Sequence, residues 1–209
     1  MRKENLKKGG GAEGLVCSFR VRGKLIEIRT VWHSHRNLYL PLQKHTSRVI
    51  VLETFPFPQL IGDAVITNLK GVEVGVRTAD CAPVVLVGEE WVAVAHVGWR
   101  GLASGILGNL VEKMSSREKV EKLFGFVGPC AKACCYEVGE EFREMFPDQL
   151  EERGGRLFMD LQEAVLRELR GAGVPDVGLL ERCTVCSEEL PSHRRDGSRE
   201  RMLTSVRIL

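Results

Sequence analysis

Residues 81–97, CAPVVLVGEEWVAVAHV, decide the fold. Residues 83–87 and 91–96 are short, apolar and rich in β-branched side chains, and Gly88, Glu89 and Glu90 separate them. That is the pattern of two antiparallel strands joined by a tight hairpin. With Gly88-Glu89 as a two-residue loop, Val87 pairs with Glu90, and the register that follows sets Cys81 opposite His96. Directly opposed residues hold their Cβ atoms about 4.5–5.5 Å apart, a span that a thiolate and an imidazole can close on one metal ion.

Working outward, residues 15–20 and 24–32 cluster apolar and β-branched residues around Arg22-Gly23 and read as a first hairpin. Residues 48–54 form another strand, broken by Phe55-Pro56-Phe57-Pro58. Residues 64–68 and 72–77 flank Leu69-Lys70-Gly71 and read as two more, so the middle of the chain is a sheet. After His96 the period changes. Leu102, Ile106, Leu110 and Met114 recur at i, i+4 spacing and predict one amphipathic helix after Gly98-Trp99-Arg100-Gly101. Residues 124–127 form a strand closed by Gly128-Pro129, and residues 136–146 read as a short helix ending before Pro147. The clearest helix is 160–170, with Asp160 as N-cap, Leu161, Val165, Leu166 and Leu169 on one face, and Glu163 four residues before Arg167. Gly171, Gly173 and Pro175 stop it, and a last strand runs over 202–208. Mixed strands with segregated helices predict an α+β fold, a mixed two-sheet sandwich flanked by helices.

The bulk numbers suit a single domain over 1–209, with residues 1–14 frayed around Gly9-Gly10-Gly11. A formal charge of +2 is too mild to imply a nucleic-acid partner, although MRKENLKK and HRRDGSRER are locally basic. No apolar run is long enough to span a bilayer, and the N-terminus carries no apolar h-region, so a cytoplasmic protein is expected. Seven cysteines, an odd number, favour reduced thiols or metal ligands over a paired framework. Only four Asn and four Gln stand beside abundant Glu, Lys and Arg, a composition of thermophile type. Intracellular disulfides occur in such organisms, which leaves Cys183 and Cys186 open as a bridge, a reduced pair or a second metal clip.

Five histidines compete for the third ligand position. His45, in QKHTSRVIVLE, stands at the entry to a strand, where a side chain is presented at a sheet's end; His33 and His35 share one face of an extended segment and are the alternative. One Cys and two His with a fourth position open is the catalytic arrangement of zinc, and the residual positive charge acidifies a bound water. Asp80, beside Cys81, reads as a turn or supporting residue, because neighbours in a strand point to opposite faces. Asp63, in GDAVITN, is a candidate base or substrate contact, with turn capping as its alternative. Cys130, Cys134 and Cys135 match no closed zinc motif and read as small buried residues. Arg194, Arg195, Arg199 and Arg201 make an anion clamp if their segment folds over the metal end of the sheet.

TADCAPVVL (78–86), AHVGWRGL (95–102), GPCAKACCYEVGEE (128–141) and CTVCSEELPSHRRDGSRERM (183–202), in this order, resemble the YfiH family of laccase-domain proteins. The likeness runs from His45 to Leu209. It implies a zinc ion held by His45 of a Gln-x-His motif, by Cys81 and by His96, with copper as the lesser alternative. It also implies a two-sheet sandwich and a purine nucleoside phosphorylase acting with phosphate on adenosine, inosine and methylthioadenosine, with adenosine deaminase activity. Arg194, Arg195 and Arg100 are then the phosphate contacts, and Asp63 a further substrate-side residue. Three departures stand out. The region before His45 is short, Leu190-Pro191-Ser192-His193 replaces an aromatic pair followed by Ser-Tyr, and Glu200 replaces a glycine. Two other activities fit the residues: a cysteine hydrolase or amidase with Cys81 as nucleophile and His96 as base, and a copper-dependent polyphenol oxidase, for which five histidines are few. A zinc-stabilised binding module is the non-enzymatic alternative.

Overall fold

The structure, a computed structural model, describes residues 7–8, 14–54 and 56–209. The fraying expected of residues 1–14 falls, apart from 7, 8 and 14, outside the described residues. Among those residues the fold is α+β. Two six-stranded mixed sheets pack against each other, and a three-stranded sheet and the helices cover the outer face of one of them.

The first sheet runs Lys7–Lys8, Leu15–Val21, Lys24–Arg29, Met202–Ile208, Glu73–Thr78, Leu38–Tyr39 in spatial order. Its opening hairpin turns on Arg22 and Gly23, both at positive φ (49° and 74°), the two-residue turn whose twist suits antiparallel strands. The second sheet runs Asp176–Leu179, Phe124–Val127, Ala82–Val87, Val92–Val97, Ala64–Thr67, Val49–Leu52. Every residue of its two central strands is buried. Alternate side chains divide between two cores: Val85, Val87, Val92 and Val94 face the first sheet, while Val84, Leu86, Ala93 and Ala95 face the helices. A strand covered on both faces needs a continuous apolar run rather than an alternating one, which is what residues 82–87 and 92–97 supply. Residues 64–67 and 73–78, adjacent in sequence, separate into different sheets.

The helix Leu161–Gly171 begins where Asp160 accepts the Glu163 N–H at 2.9 Å, a cap worth about 1 kcal/mol. Four expectations are corrected. The single helix after Gly98 is two, Trp99–Ala103 and Ile106–Ser115, because Gly105 sits at φ 76° and breaks the first. Residues 136–146 are not one helix: Glu137–Val138 is a strand of the three-stranded sheet, completed by Leu150–Arg153 and Arg156–Met159, and only Phe142–Met145 is helical. The central hairpin pairs Val87 with Val92, so Pro83 and not Cys81 lies opposite His96, and Cys81 precedes the strand. Its loop is Gly88 to Trp91, closed by the Gly88 N–H on the Trp91 carbonyl at 2.9 Å. The carboxylate of Glu118 accepts the Glu90 and Trp91 N–H groups at 2.6 and 2.8 Å. That distant carboxylate sets the loop length, and a Cβ at Gly88 would come within 2.6 Å of its carboxyl carbon. Fourth, Cys134 and Cys186 are exposed and Cys135 is half-buried, so only Cys130 and Cys183 of the later cysteines are core residues.

Candidate metal centre and its cleft

Although the register differs, Cys81, His96 and His45 come together, with ligand atoms all within 4.8 Å of one another. His96 is carried by the strand Val92–Val97 at the end of the sandwich, on the face turned to the first sheet. Cys81 follows Asp80, whose φ of 77° turns the chain into the next strand. His45 is also left-handed, at φ 58°, and its Nε2 lies 3.9 Å from the Cys81 sulfur. The His45 and His96 rings meet edge to face at 4.7 Å. Gly98 makes the approach possible, since a Cβ there would stand 2.9 Å from the Cys81 sulfur and 3.2 Å from the His45 ring.

Asp63 organises two of these three groups at once. Its carboxylate is fully buried and accepts the backbone N–H groups of Lys44, His45 and Thr46 at 3.2, 3.0 and 2.7 Å and the Thr46 hydroxyl at 2.8 Å. The same carboxylate meets His96 Nδ1 at 2.8 Å. With Nδ1 engaged, Nε2 is the His96 nitrogen left for a ligand role, the arrangement in which a carboxylate orients and enriches a metal-bound imidazole. Asp63 therefore stands behind the histidine, saturated and out of the cleft, and the expectation that it contacts substrate or phosphate is corrected. Burial alone would raise its acid, but the bonds from His96, Thr46 and Lys44 hold it well below the usual carboxylate range.

The same logic runs through the cluster. Burial would raise the Cys81 thiol, yet hydrogen bonds and charge from His45 and His96 bring it down to about 6. Burial would lower His96, but Asp63 and Cys81 lift it to about 9. A soft thiolate and two imidazoles are a donor set that zinc accepts, so the residues present fit such an ion.

The three groups line one wall of a cleft of about 600 Å³, within the usual size of small-molecule sites. Arg77, Arg100, Arg194, Arg199 and Arg201 line it too, with Trp99 and Tyr136 as aromatic surface. Arg100 lies over the Trp99 ring at 4.5 Å and Arg194 over the Tyr136 ring at 5.3 Å. Burial pushes the Tyr136 phenol up to about 12, with the charge on Cys81 adding to it, so the ring keeps a neutral hydroxyl. Asp80 docks the short helix His193–Asp196 by accepting the Arg194 N–H at 2.7 Å and the Thr184 hydroxyl at 2.7 Å. This is the supporting role expected of it. Arg195 is a second correction: it does not line the cleft, and its guanidinium is spent on the carbonyls of Thr184, Ser187 and Leu190, each at 3.0 Å, and on Asp196. His35 pairs with Glu73 at 3.2 Å and stands apart from the ligand group.

Sequence reasoning met two further contributors only as motif residues and missed what they do. Gln43 exchanges both bonds with the Arg77 backbone, at 2.8 and 2.9 Å, and so pins the loop that presents His45. Gly98 was seen only as part of a motif. A side-chain amide imitating a strand partner leaves no periodic signal in sequence.

The family model of multi-copper polyphenol oxidoreductase laccase matches residues 20–209. The chain belongs to that family. It is 49% identical over 199 residues to a purine nucleoside phosphorylase of Aquifex aeolicus (strain VF5), covering 95% of this chain and 96% of that protein. It is 35% identical over 173 residues to adenosine deaminase RL5 of an unknown prokaryotic organism, covering 72% of this chain and 66% of that relative. Among solved structures, YlmD from Geobacillus stearothermophilus superposes with a TM-score of 0.84 over 98% of this chain and 99% of that one, at 23% identity. That likeness supports the two-sheet α+β fold. The chain is an enzyme of this family, and no helix among the described residues is long and apolar enough to cross a membrane.

Proposed function

We propose that the chain is a zinc-dependent purine nucleoside phosphorylase that also deaminates adenosine. The observation that carries this reading is the placing of one thiolate and two imidazoles on the wall of an arginine-lined cleft large enough for a nucleoside and a phosphate. The names of the similar proteins point the same way. His45, Cys81 and His96 would hold zinc, which when bound supplies Lewis acidity at the reacting centre.

The remaining work falls to the chain's own groups. Arg194 and Arg100 bind phosphate, their donors matching its oxygens in pairs, and Tyr136 and Trp99 hold their guanidinium groups in place. A phosphate oxygen attacks the anomeric carbon, the bond from that carbon to the base nitrogen breaks, and the electron pair leaves with the base, which takes up a proton. Cationic donors aimed at the charge that develops are usually the largest catalytic contribution. In deamination water adds at C6 of adenine and ammonia departs. Asp63 keeps His96 fixed through both reactions. The free cysteines fit a reducing cytoplasm.

Incubation with inosine and phosphate should release hypoxanthine and ribose 1-phosphate. Release no greater than that of a Cys81→Ala control sinks the reading. Cys81 beside two imidazoles also suits a cysteine hydrolase, and elemental analysis separates the two: a zinc equivalent lost in His45→Ala supports the phosphorylase, whereas metal content unchanged in His45→Ala, with activity abolished by alkylation of Cys81, supports the nucleophile.

A further inference from the structure

Away from the cleft's reacting wall, four sulfurs from two distant segments converge. Cys134, Cys135, Cys183 and Cys186 place their sulfurs within 4.8 Å of one another. The Cys135 and Cys186 sulfurs stand 2.7 Å apart and those of Cys134 and Cys186 3.3 Å apart. A disulfide needs about 2.05 Å between two sulfurs, so neither contact is a bond. Four bonds of about 2.3 Å to one tetrahedral ion put the sulfurs roughly 3.8 Å apart, in the middle of the range seen. One Cys186 sulfur shared between two neighbours makes sense as one vertex of a tetrahedron and not as half of a pair.

The backbone is built to present this group. Cys183 and Cys186 have the C-x-x-C spacing of a zinc knuckle, and the Ser187 N–H closes their turn on the Cys183 carbonyl at 3.1 Å. Cys134 and Cys135 lie on a second turn, closed by the Cys135 and Tyr136 N–H groups on the Lys132 carbonyl at 3.0 and 2.8 Å. The two segments are joined beneath the sulfurs by the bridge between Cys130 and Cys183, with the Thr184 N–H on the Cys130 carbonyl at 3.1 Å. Buried Gln162 ties the same segments by donating to the carbonyls of Gly128 and Leu180, both at 3.1 Å. Guanidinium groups brace each turn from outside: Arg195 donates to Thr184 and Ser187, and Arg153 to the Ala133 carbonyl.

We propose that Cys134, Cys135, Cys183 and Cys186 form a closed tetrathiolate site for a structural divalent ion, zinc first. Four protein ligands leave no position for substrate, so the ion holds structure and does not react. What it holds is the rim of the cleft: Tyr136 follows Cys135 directly, and Thr184, inside the knuckle, bonds the Asp80 carboxylate that anchors Arg194. The inference does not depend on which reaction the cleft performs.

Metal content of the reduced, untagged protein tests it. The expected result is two zinc equivalents per chain, one lost in Cys183→Ser/Cys186→Ser and the other in His45→Ala. Cobalt refilling should give the intense thiolate-to-metal absorption of a four-sulfur site, retained in His45→Ala and lost in the double variant. Should the double variant not fold, exposed Cys134→Ser must still shift the cobalt spectrum, and in the wild type the thiols of Cys134, Cys135, Cys183 and Cys186, identified by peptide mapping, must resist alkylation until a chelator removes the ion. A single equivalent unaffected by Cys134→Ser overturns the proposal, as does a disulfide among these four cysteines under non-reducing mass analysis.

Discussion

The molecule carries two cysteine-containing clusters, one on the wall of the cleft that Tyr136 also lines and one that includes its chain neighbour Cys135, and they differ in the one respect that matters for chemistry. At the first, one thiolate and two imidazoles face a cleft, leaving room for something to react. At the second, four cysteine sulfurs converge on one another with no histidine among them. The supports differ accordingly. A single buried carboxylate, Asp63, holds the His45 backbone N–H and the His96 ring; the four-cysteine group is held by backbone turns and braced by arginines on carbonyls. An open site needs its ligands aimed, and a closed one needs its loops joined.

The comparison breaks most sharply at His45. His45→Ala is expected to cost at least ~10³-fold in kcat/KM, the scale of losing a group essential to the transition state. Its side chain is exposed and its backbone is held by Asp63 regardless, so with the ion removed from both proteins stability should move by no more than ~1 kcal/mol. Activity assays on the zinc-loaded proteins and thermal melts on the chelator-treated ones check both halves. A large fall in Tm with His45→Ala would mean that the first cluster, like the second, is structural.

Asp63→Asn should damage both aim and fold. The amide puts two hydrogens where the carboxylate accepted five bonds, so at least one N–H of the 44–46 loop or of His96 is left facing a donor. The loss is about 3 kcal/mol, a Tm fall of roughly 6–12 °C, with a ~10–100-fold weaker hold on the ion at the first cluster. Zinc titration against a chelating dye, with the four-cysteine ion as internal reference, measures it. Equal weakening of both ions would show that Asp63 acts only through general stability.

The neighbouring arginines 194 and 195 separate the clusters at one peptide bond's distance. Arg195→Ala removes the donors from the carbonyls of the Cys183–Cys186 turn and should cost about 1–3 kcal/mol, seen as a lower Tm with KM unchanged. Arg194→Ala should leave Tm in place and raise the KM for phosphate by ~10–100-fold, the worth of a charge-assisted bond of about 1.5–3 kcal/mol. Reversed outcomes would exchange their roles.

Much of this was legible in the sequence where the signal is local. Apolar, β-branched runs at 83–87 and 91–96 declared the two strands of a hairpin, which the structure has at 82–87 and 92–97, and Asp160 declared a helix start. What the sequence withheld depends on distant partners. The hairpin register rests on Glu118, which closes a loop 28 residues upstream of it. The helix break rests on Gly105 taking positive φ where Gly108 does not. Its place at a strand entry put His45 ahead of His33 and His35 and the family resemblance strengthened it, while Asp63, whose hold on the 44–46 loop has no periodic trace, presents it. Cys134 and Cys135 read as buried because nothing nearby in sequence shows that a loop about 50 residues on supplies two more sulfurs.

The smallest expected effect is also the one that joins the two clusters. Tyr136 follows Cys135 and lends its ring to Arg194 at 5.3 Å, an interaction worth about 0.5–1 kcal/mol. Tyr136→Leu keeps the apolar bulk but removes the π face, so the KM for phosphate should rise only ~2–5-fold, with kcat and both metal equivalents unchanged. If the closed cluster fixes the rim, stripping only its ion should raise the same KM by at least as much, because the loop that presents Tyr136 loosens as a whole. The two perturbations should then not add when combined, since they act on one contact. Additive effects would separate them, and would mean that the four cysteines hold the fold without shaping the cleft.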